Sequence, residues 1–484
     1  MKTIVTLFLA LFLISSLTIA QDSLYIYKSG SVVTKHAVAD IDSVIFYNAT
    51  NSSNNIISVL VKNFIGIQIQ IGVEIDSVNK QISITVPTGT NLAKLTPIIA
   101  IPTKATILPS SGQVQDFSKG AISYTVTSEN GKPLIWSIQV VTPLALIGAN
   151  NSNIQYVGRI DFTTLTEPKF ANPGVYIKAK FTGTFCDIDI KDDYSQNYIA
   201  VIIDGKASVR FPMTSVKKTF RVASGLSSGE HTILICKDTE AGVSAITFYG
   251  FHCGGLLPVT DMPTRKFECY GNSITCGSCM LNGAPCQLVD KGTNWNAANS
   301  AYLSYGALAA RALNAQWQIT AVSGIGLVQS CCGMTNTMPD VYDRQDLNNS
   351  SSVKWNFTKY IPDVVTICLG QNDGSTIVAS QAFKDKYIAF VNTLRGKYPD
   401  ASFFLVTSPM ADSSSSSSCL FKVMQTSLAN IVDSLNNAGD SKVYWVSLPH
   451  DQRGGCTSNP HPNVAQHESI AAVLEATIKQ KMGW

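Results

Sequence analysis

The segment KFECYGNSIT, residues 266–275, decides how this chain folds. Its first five residues favour a short strand, and the Gly271-Asn272-Ser273 that follows is typical of a turn. Such a turn exposes the Ser273 hydroxyl at the end of the strand. It is not a nucleophile elbow, because glycine stands two residues before Ser273 but Thr275 stands two residues after it. Taken alone the turn is an ordinary loop, so its role depends on what else lies at the same edge.

The chain around this segment, residues 259–484, alternates between strand and helix patterns. In its first helical pattern Tyr302, Tyr305 and Ala309 recur at three-to-four spacing and share one face. Such alternation indicates an α/β/α domain with a mostly parallel sheet covered on both faces, whose site lies beyond the carboxyl ends of the strands. The predicted strands are 266–270, 318–322, 364–369, 403–407 and 443–446, and the predicted helices are 298–313, 383–394, 420–435 and 463–479. We expect the serine run at 413–418 to be a surface loop between a strand and a helix.

Three further segments lie at these predicted edges and carry groups suited to ester chemistry. A serine hydroxyl is a weak nucleophile unless a neighbouring base takes its proton, so Ser273 needs a histidine. Attack on an ester also builds negative charge on the carbonyl oxygen, and a fixed donor aimed there supplies about 3–4 kcal/mol in a known case. The segments are SGIG at 323–326, GQND at 370–373 and HPN at 461–463.

His461 is the best candidate base among the six histidines. It ends the last predicted loop and precedes Pro462, which suits the first position of a helix. The alternative is a histidine near a helix start with no catalytic role. His450 is the one rival, because it also follows a predicted strand. The other histidines lie in the β-rich part, at its boundary or inside the final helix: His36, His231, His252 and His467.

Three groups can donate to the developing oxyanion. Asn372 offers its side-chain amide, while Gly324 and Ser273 offer backbone N–H groups. Glycine at 324 also lets the chain approach a substrate closely. Each of these residues alone is read as a tight turn or a turn cap. Their coincidence with Ser273 and His461 in register favours an esterase.

The four segments resemble blocks I, II, III and V of the SGNH or GDSL-type hydrolases, with Asn272 where the first block commonly carries aspartate. With the preceding GRIDF at 158–162 and Asp204-Gly205, residues 146–484 are similar to the family 2 carbohydrate esterases. Those enzymes join a jelly-roll domain to an SGNH domain and remove acetyl groups from plant polysaccharides and sugars. The resemblance implies that Ser273 is the nucleophile, that His461 is the base, and that Gly324 and Asn372 complete the oxyanion site with the Ser273 N–H.

One position departs from the family pattern. Block V usually places an aspartate two or three residues before the histidine, where this chain has Asn459 and Ser458. The wrong partner for the imidazole can cost about 10⁴ in rate. A backbone carbonyl can still accept the ring N–H, as in some family 2 esterases, so the resemblance predicts a Ser-His dyad. Asp451, brought near by the loop, remains an alternative.

Length and composition divide the rest of the chain. At 484 residues it should form about three domains. Residues 1–20 are typical of a cleaved secretory signal peptide, since their apolar stretch is too short to span a membrane. Residues 21–145 show short strands and turn clusters typical of an immunoglobulin-like β-sandwich, preceding the catalytic domain at 259–484. Residues 146–258 contain seven predicted strands, about one short of the usual eight of a jelly roll.

The 12 cysteines all lie between Cys186 and Cys456. Because an exported protein meets an oxidising environment, we expect disulfides that tie the active-site loops together. The candidates near the site are Cys276, Cys279, Cys286 and the adjacent Cys331-Cys332. The CGSC run at 276–279 also has zinc-ligand spacing, but no second spaced pair or histidine pair answers it.

These observations predict a secreted or periplasmic serine esterase that removes O-acetyl groups from xylan, mannan or related sugars. The reaction needs no cofactor or metal, and the formal charge of +3 is too small to suggest a nucleic-acid partner. Trp295 and Trp355 could stack on a sugar ring, although tryptophan is more often core. Two alternatives remain: an inactive carbohydrate-binding or adhesive protein, and a lipid or aryl esterase with the same dyad.

Overall fold

The computed structural model of the protein describes residues 23–28, 31–37, 52–87, 89–142, 144–281, 295–456 and 459–484. The chain divides into two compact units, residues 1–143 and 144–484. The predicted signal peptide at 1–20 lies outside the described residues. Within the described ranges, no helix has the length and apolar character needed to cross a membrane.

The first unit is built from strands. A two-stranded antiparallel sheet pairs β3 with β6, and a five-stranded sheet has the order β4-β5-β9-β8-β7, in which β5 and β9 run parallel. Alternate side chains of both sheets meet in one core around Trp136, so the sheets form a sandwich. Its immunoglobulin-like topology stays a prediction. The strands are β1 (Ser23–Lys28), β2 (Ser31–Ala37), β3 (Ser58–Lys62), β4 (Gly72–Asp76), β5 (Gln81–Thr85), β6 (Thr96–Ala100), β7 (Thr106–Leu108), β8 (Ile122–Thr127) and β9 (Pro133–Val141).

The second unit begins with another two-sheet β-sandwich. One sheet has the order β10-β19-β14-β17 with β12 beside β19, and the other has the order β11-β13-β18-β15-β16 with β20 beside β13. Apolar side chains of both sheets form one core. The jelly-roll topology stays a prediction. The strands are β10 (Ile147–Gly148), β11 (Gln155–Val157), β12 (Lys169–Phe170), β13 (Tyr176–Thr182), β14 (Cys186–Asp192), β15 (Tyr198–Ile203), β16 (Val209–Pro212), β17 (Lys218–Ala223), β18 (Glu230–Lys237), β19 (Ile246–His252) and β20 (Gly255–Leu257).

Strand β14 was not predicted from the sequence. Aspartate is disfavoured in strands, and β14 carries three of them. In the sheet two of these carboxylates find partners on the neighbouring strand: Asp187 pairs with Arg221, and Asp189 accepts a hydrogen bond from Thr219 Oγ1 at 2.6 Å. The pairing that makes this strand favourable is therefore non-local.

The remainder of the second unit has three layers, α/β/α, as predicted. Its parallel sheet has the order β22-β21-β23-β24-β25. One face packs against α2 and α7 and the other against α5 and α6. The strands are β21 (Arg265–Gly271), β22 (Ala315–Ala321), β23 (Val364–Cys368), β24 (Ser402–Val406) and β25 (Val443–Val446). The helices are α1 (Ser273–Cys276), α2 (Tyr305–Ala312), α3 (Met338–Val341), α4 (Gly374–Val378), α5 (Gln381–Arg395), α6 (Leu420–Asn437) and α7 (Val464–Met482), with 3-10 turns at Trp295–Ala298 and Phe357–Lys359.

Two differences from the predicted elements have local causes. The helix predicted at 298–313 begins only at Tyr305, because Asp238 of the β-sandwich holds the preceding loop by accepting from Ser300 Oγ at 2.8 Å and Tyr302 N at 2.9 Å. The short helices α1, α3 and α4 were missed because one turn carries no readable periodicity. The serine run at 413–418 is an exposed loop between β24 and α6, as predicted.

The β-sandwich of the second unit shares a core with the parallel sheet. Tyr176 of β13 stacks on Trp317 of β22 with ring centroids 4.1 Å apart. Arg159 and Glu268 form a fully buried ion pair at 3.2 Å. Trp355 is 5% exposed and lies against the Arg159 guanidinium, so it belongs to the core and cannot be a sugar-stacking surface. The side chain of Trp295 lies outside the described residues.

Candidate active site

Ser273 stands at the first turn after β21, where the backbone is tightly constrained. Asn272 caps α1, since its Oδ1 accepts from the Ile274 N–H at 3.1 Å. A Cβ at Gly271 would lie 2.0 Å from Thr275 Oγ1, so only glycine fits there. Gly277 ends the helix with φ +76°. These constraints leave the Ser273 side chain partly exposed beyond the carboxyl end of the sheet.

The structure brings His461 directly to Ser273. His461 Nε2 lies 2.9 Å from Ser273 Oγ, and His461 Nδ1 lies 3.1 Å from the Asn459 carbonyl oxygen. A carbonyl only accepts, so Nδ1 carries the proton and Nε2 is left to accept from the serine. His461 is 8% exposed, and burial lowers the pKa of its imidazole despite the opposing hydrogen bond to Asn459. The ring is therefore neutral at neutral pH and able to take a proton.

No carboxylate among the described residues contacts His461. Asp451 accepts a hydrogen bond from Ser413 and lies 3.9 Å from His450. The rival His450 stacks on the Phe421 ring with centroids 3.8 Å apart. These contacts remove both alternatives from the Ser273 site.

His467 is a packed histidine inside α7. It is fully buried, and its Nδ1 accepts from the Tyr305 N–H at 3.1 Å. Burial lowers its pKa to about 3, so it stays neutral. His467 therefore supports the packing of α2 against α7.

The loops that carry the predicted oxyanion donors start level with the serine. Gly271 is in register with Ala321 of β22 and with Cys368 of β23, so three loops leave the sheet at one edge. Strand β22 lies on one side of β21 and β23 lies on the other, so the strand order reverses at β21. In sheets of this kind, ligand sites usually lie at the carboxyl edge where the order reverses. Gly324 and Asn372 follow on the second and third of these loops.

The loop after β22 and the loop after β23 are joined by a hydrogen bond. Asn372 Nδ2 donates to the Ile325 carbonyl at 2.8 Å, which orients the amide and leaves its second N–H for another acceptor. Gly324 has φ +79°, and none of the described residues accepts from its N–H. The Gly326 N–H already donates to Ser330 Oγ at 3.0 Å. Of the two glycines, Gly324 is the one whose N–H remains available.

Asp373 is a further site residue that sequence reasoning missed. Its carboxylate is 4% exposed and accepts from the backbone N–H groups of Leu327, Val328 and Gln329 at 2.7–3.1 Å. The interaction fixes the loop that contains Gly324. Its position directly after Asn372, in the same segment, was the available signal.

The expected disulfides are wrong for Cys331 and Cys332. These adjacent cysteines bond to each other rather than to the loop at 276–279. Cys276 is a buried free thiol, and Cys286 lies outside the described residues. Across the part of the chain that the structure describes, no cluster of three or more histidine, cysteine or acidic side chains could hold a metal ion.

Comparison with known families agrees with this architecture. Residues 269–470 match the family model described as GDSL-like Lipase/Acylhydrolase family, and residues 156–263 match the one described as Carbohydrate esterase 2 N-terminal. Residues 60–140 match a third model, described as SGBP, N-terminal. The fold and these matches define the class of the protein as a GDSL-like carboxylic-ester hydrolase.

Individual relatives narrow the class to a family. A solved family two carbohydrate esterase from Clostridium thermocellum, in complex with cellohexaose, is 33% identical with a TM-score of 0.61, over 68% of this chain and 99% of that one. The Cellulase/esterase CelE of Acetivibrio thermocellus is 34% identical over 69% of this chain, which spans 40% of CelE. An acetylxylan esterase / glucomannan deacetylase of Cellvibrio japonicus is 27% identical over 70% of this chain and 91% of that protein. The chain belongs to the family 2 carbohydrate esterases.

Proposed function

We propose that the protein is a secreted carbohydrate esterase that removes O-acetyl groups from plant polysaccharides or oligosaccharides such as xylan and mannan. The observation that carries the proposal is the 2.9 Å contact between Ser273 Oγ and His461 Nε2, with the Asn459 carbonyl on the other ring nitrogen. The names of the relatives support the substrate class, since one is an acetylxylan esterase / glucomannan deacetylase and another was solved with cellohexaose.

The first half of the reaction would form an acetyl-serine. His461 Nε2 takes the Ser273 proton as Oγ attacks the acetyl carbonyl, and the negative charge moves to the carbonyl oxygen. Donors for that oxygen are the N–H groups of Ser273 and Gly324 and the free amide hydrogen of Asn372. When the tetrahedral intermediate collapses, the bond between the acetyl carbon and the sugar oxygen breaks, and the protonated His461 gives its proton to that oxygen, so the sugar leaves as an alcohol.

The second half releases acetate. His461, neutral again, takes a proton from a water molecule, whose oxygen attacks the acetyl-serine carbonyl and displaces Ser273 Oγ. The proton returns to that oxygen, so the enzyme ends as it began. The two half-reactions use the same three donors and need no metal or organic cofactor.

The proposed dyad replaces the usual acid with a backbone dipole. The Asn459 carbonyl can hold the Nδ1–H tautomer as an aspartate would, which keeps Nε2 facing the serine. It carries no full charge, so it stabilises the imidazolium less than a carboxylate does. We therefore expect a base with a low pKa and a working range that extends to acidic pH.

The proposal includes the organisation of the whole chain. Residues 1–20 would direct export and be removed, and 21–145 would be an immunoglobulin-like module. Residues 146–258 would be a jelly roll attached to the catalytic domain at 259–484. The shared core of the last two supports treating them as one catalytic unit.

The decisive experiment is acetate release from acetylated xylan and acetylated glucomannan by the purified mature protein. Ser273→Ala should abolish release, while Ser418→Ala, in the exposed serine loop, serves as the matched control and should match the parent. Release by the parent that persists in Ser273→Ala would refute the dyad. Glycan binding by both proteins without any turnover would indicate a binding module, and hydrolysis that favours long acyl chains would indicate a lipid esterase.

A further inference from the structure

A segment of the β-sandwich enters the loops around Ser273. After β18 the chain continues through Asp238, Thr239 and Glu240, all buried. The Glu240 carboxylate accepts a hydrogen bond from Ser278 Oγ, and Ser278 Oγ lies 3.1 Å from Ser323 Oγ. Ser278 belongs to the loop that follows Ser273, and Ser323 directly precedes Gly324. One carboxylate therefore reaches both the nucleophile loop and the oxyanion loop.

The environment of Glu240 makes these bonds energetically important. The residue is 5% exposed, so water cannot replace a lost partner. Burial raises the pKa of its carboxyl group, whereas hydrogen bonds from Ser278 and Ser323 and the charge of Lys237 favour the ionised form. An ionised carboxylate offers two charged accepting oxygens, whereas the amide of a glutamine offers one neutral accepting oxygen.

The segment that carries Glu240 is itself fixed on both sides. Lys237 Nζ donates to the Glu240 carbonyl at 2.8 Å and to the Thr239 carbonyl at 3.0 Å. Asp238 pairs with Arg210 at 2.6 Å and accepts from Ser300 Oγ. The carboxylate of Glu240 is thus held by a rigid support rather than by a mobile surface loop.

We propose that Glu240 is a positioning residue of the esterase site, supplied by the β-sandwich, which sets the distance between Ser273 and the Gly324 N–H through Ser278 and Ser323. The inference rests on the esterase function proposed above. It gives the β-sandwich a role in the reaction besides that of a platform. Among the described residues, no hydrogen bond or ion pair joins Glu240 to Ser273 or His461, so its proposed action runs through the two serines.

The consequence is an effect on rate rather than on substrate affinity. A misplacement of about 1 Å at an active site can cost about 10²-fold in rate. We expect Glu240→Ala to lower kcat at least tenfold and to change KM less than threefold. Glu240→Gln keeps one accepting oxygen and should lie between Glu240→Ala and the parent.

A double-mutant cycle with Ser323→Ala tests whether Glu240 acts through that serine. If it does, the two losses overlap, and the double variant is no slower than Glu240→Ala alone. Asp440→Asn is the matched control, because this half-buried carboxylate pairs with Arg395 at 2.9 Å and lies before β25, at the opposite edge of the sheet from the site. The assay is kcat and KM on an aryl acetate with the full chain, with thermal unfolding of each variant.

Each outcome is decisive. A parent without turnover contradicts the proposed function itself. An active parent with folded Glu240 variants of unchanged kcat overturns the inference, as do multiplicative losses in the double variant or a loss confined to KM. If Glu240→Ala fails to fold, Ser323→Ala and Ser278→Ala remain as small substitutions, and unchanged kcat in both would overturn the inference as well.

Discussion

The sharpest prediction concerns Asp373, whose carboxylate anchors the oxyanion loop. Its Oδ1 accepts from Leu327, Val328 and Gln329 at 3.1, 2.7 and 3.0 Å, and its Oδ2 accepts from Leu327 at 2.9 Å. Asp373→Asn keeps the shape of the side chain but removes the charge and turns one acceptor into a donor. If the amide nitrogen takes the place of Oδ2, the new donor faces the Leu327 N–H.

The magnitude follows from the number of bonds. Hydrogen bonds to charged groups contribute about 1.5–3 kcal/mol each, and neutral ones about 0.5–1.5 kcal/mol. The substitution weakens the hydrogen bonds from all three backbone N–H groups. Allowing for non-additivity, we expect the unfolding free energy to fall by about 2–4 kcal/mol. Because the loop carries Gly324, kcat should also fall about tenfold to hundredfold, with KM nearly unchanged.

Urea unfolding and steady-state kinetics on an aryl acetate measure the two effects. The control is Asp340→Asn, in the short helix α3 that follows the oxyanion loop. Its exposed carboxylate accepts from Thr337 N and Thr337 Oγ1, each at 2.7 Å, in the capping box of that helix. Loss of that box should cost about 1 kcal/mol and leave kcat unchanged. If Asp373→Asn behaves like Asp340→Asn, the carboxylate does not hold the oxyanion loop and the reasoning is refuted.

Three further predictions concern the pKa of His461, the turn at Gly277 and the carboxylate of Asp451. Burial lowers the pKa of His461, so protonation should inactivate the enzyme only below the usual histidine value of about 6.5. The acid limb of the pH profile of kcat/KM should therefore have its midpoint below that value, and a midpoint above it would contradict the buried dyad. Gly277→Ala would place a Cβ 2.1 Å from the Ser300 carbonyl at φ +76° and should lower unfolding free energy by at least about 2 kcal/mol with loss of activity, whereas a stable, active variant would show that the turn can relax. Asp451→Asn should leave kcat/KM within about threefold, because this carboxylate contacts Ser413 and not His461; a loss near the 10⁴-fold of a lost triad acid would make it the missing acid.

Local patterns carried the α/β part of the fold. Alternating strand and helix periodicity predicted all five strands of the parallel sheet and the helices α5, α6 and α7 within three residues, whereas α2 begins seven residues later than predicted. The same logic located Ser273, Gly324 and Asn372 at one edge, because the carboxyl ends of parallel strands coincide whatever the loops do. Strand β14 was not predicted because the partners that stabilise two of its aspartates, Arg221 and Thr219, lie on a neighbouring strand about 30 residues further along the chain.

The sequence by itself determined which groups were available for chemistry and which strand each one followed. Only the tertiary structure decided which atoms meet: the Asn459 carbonyl at His461, the bond between Cys331 and Cys332, and the burial of Trp355. It also revealed Glu240, which lies 33 positions before Ser273 in the chain and shows no motif of its own. The physical reason is that periodicity reports on a residue's own backbone. Contacts between distant segments depend instead on how the layers of the fold pack, and local sequence periodicity does not predict that packing.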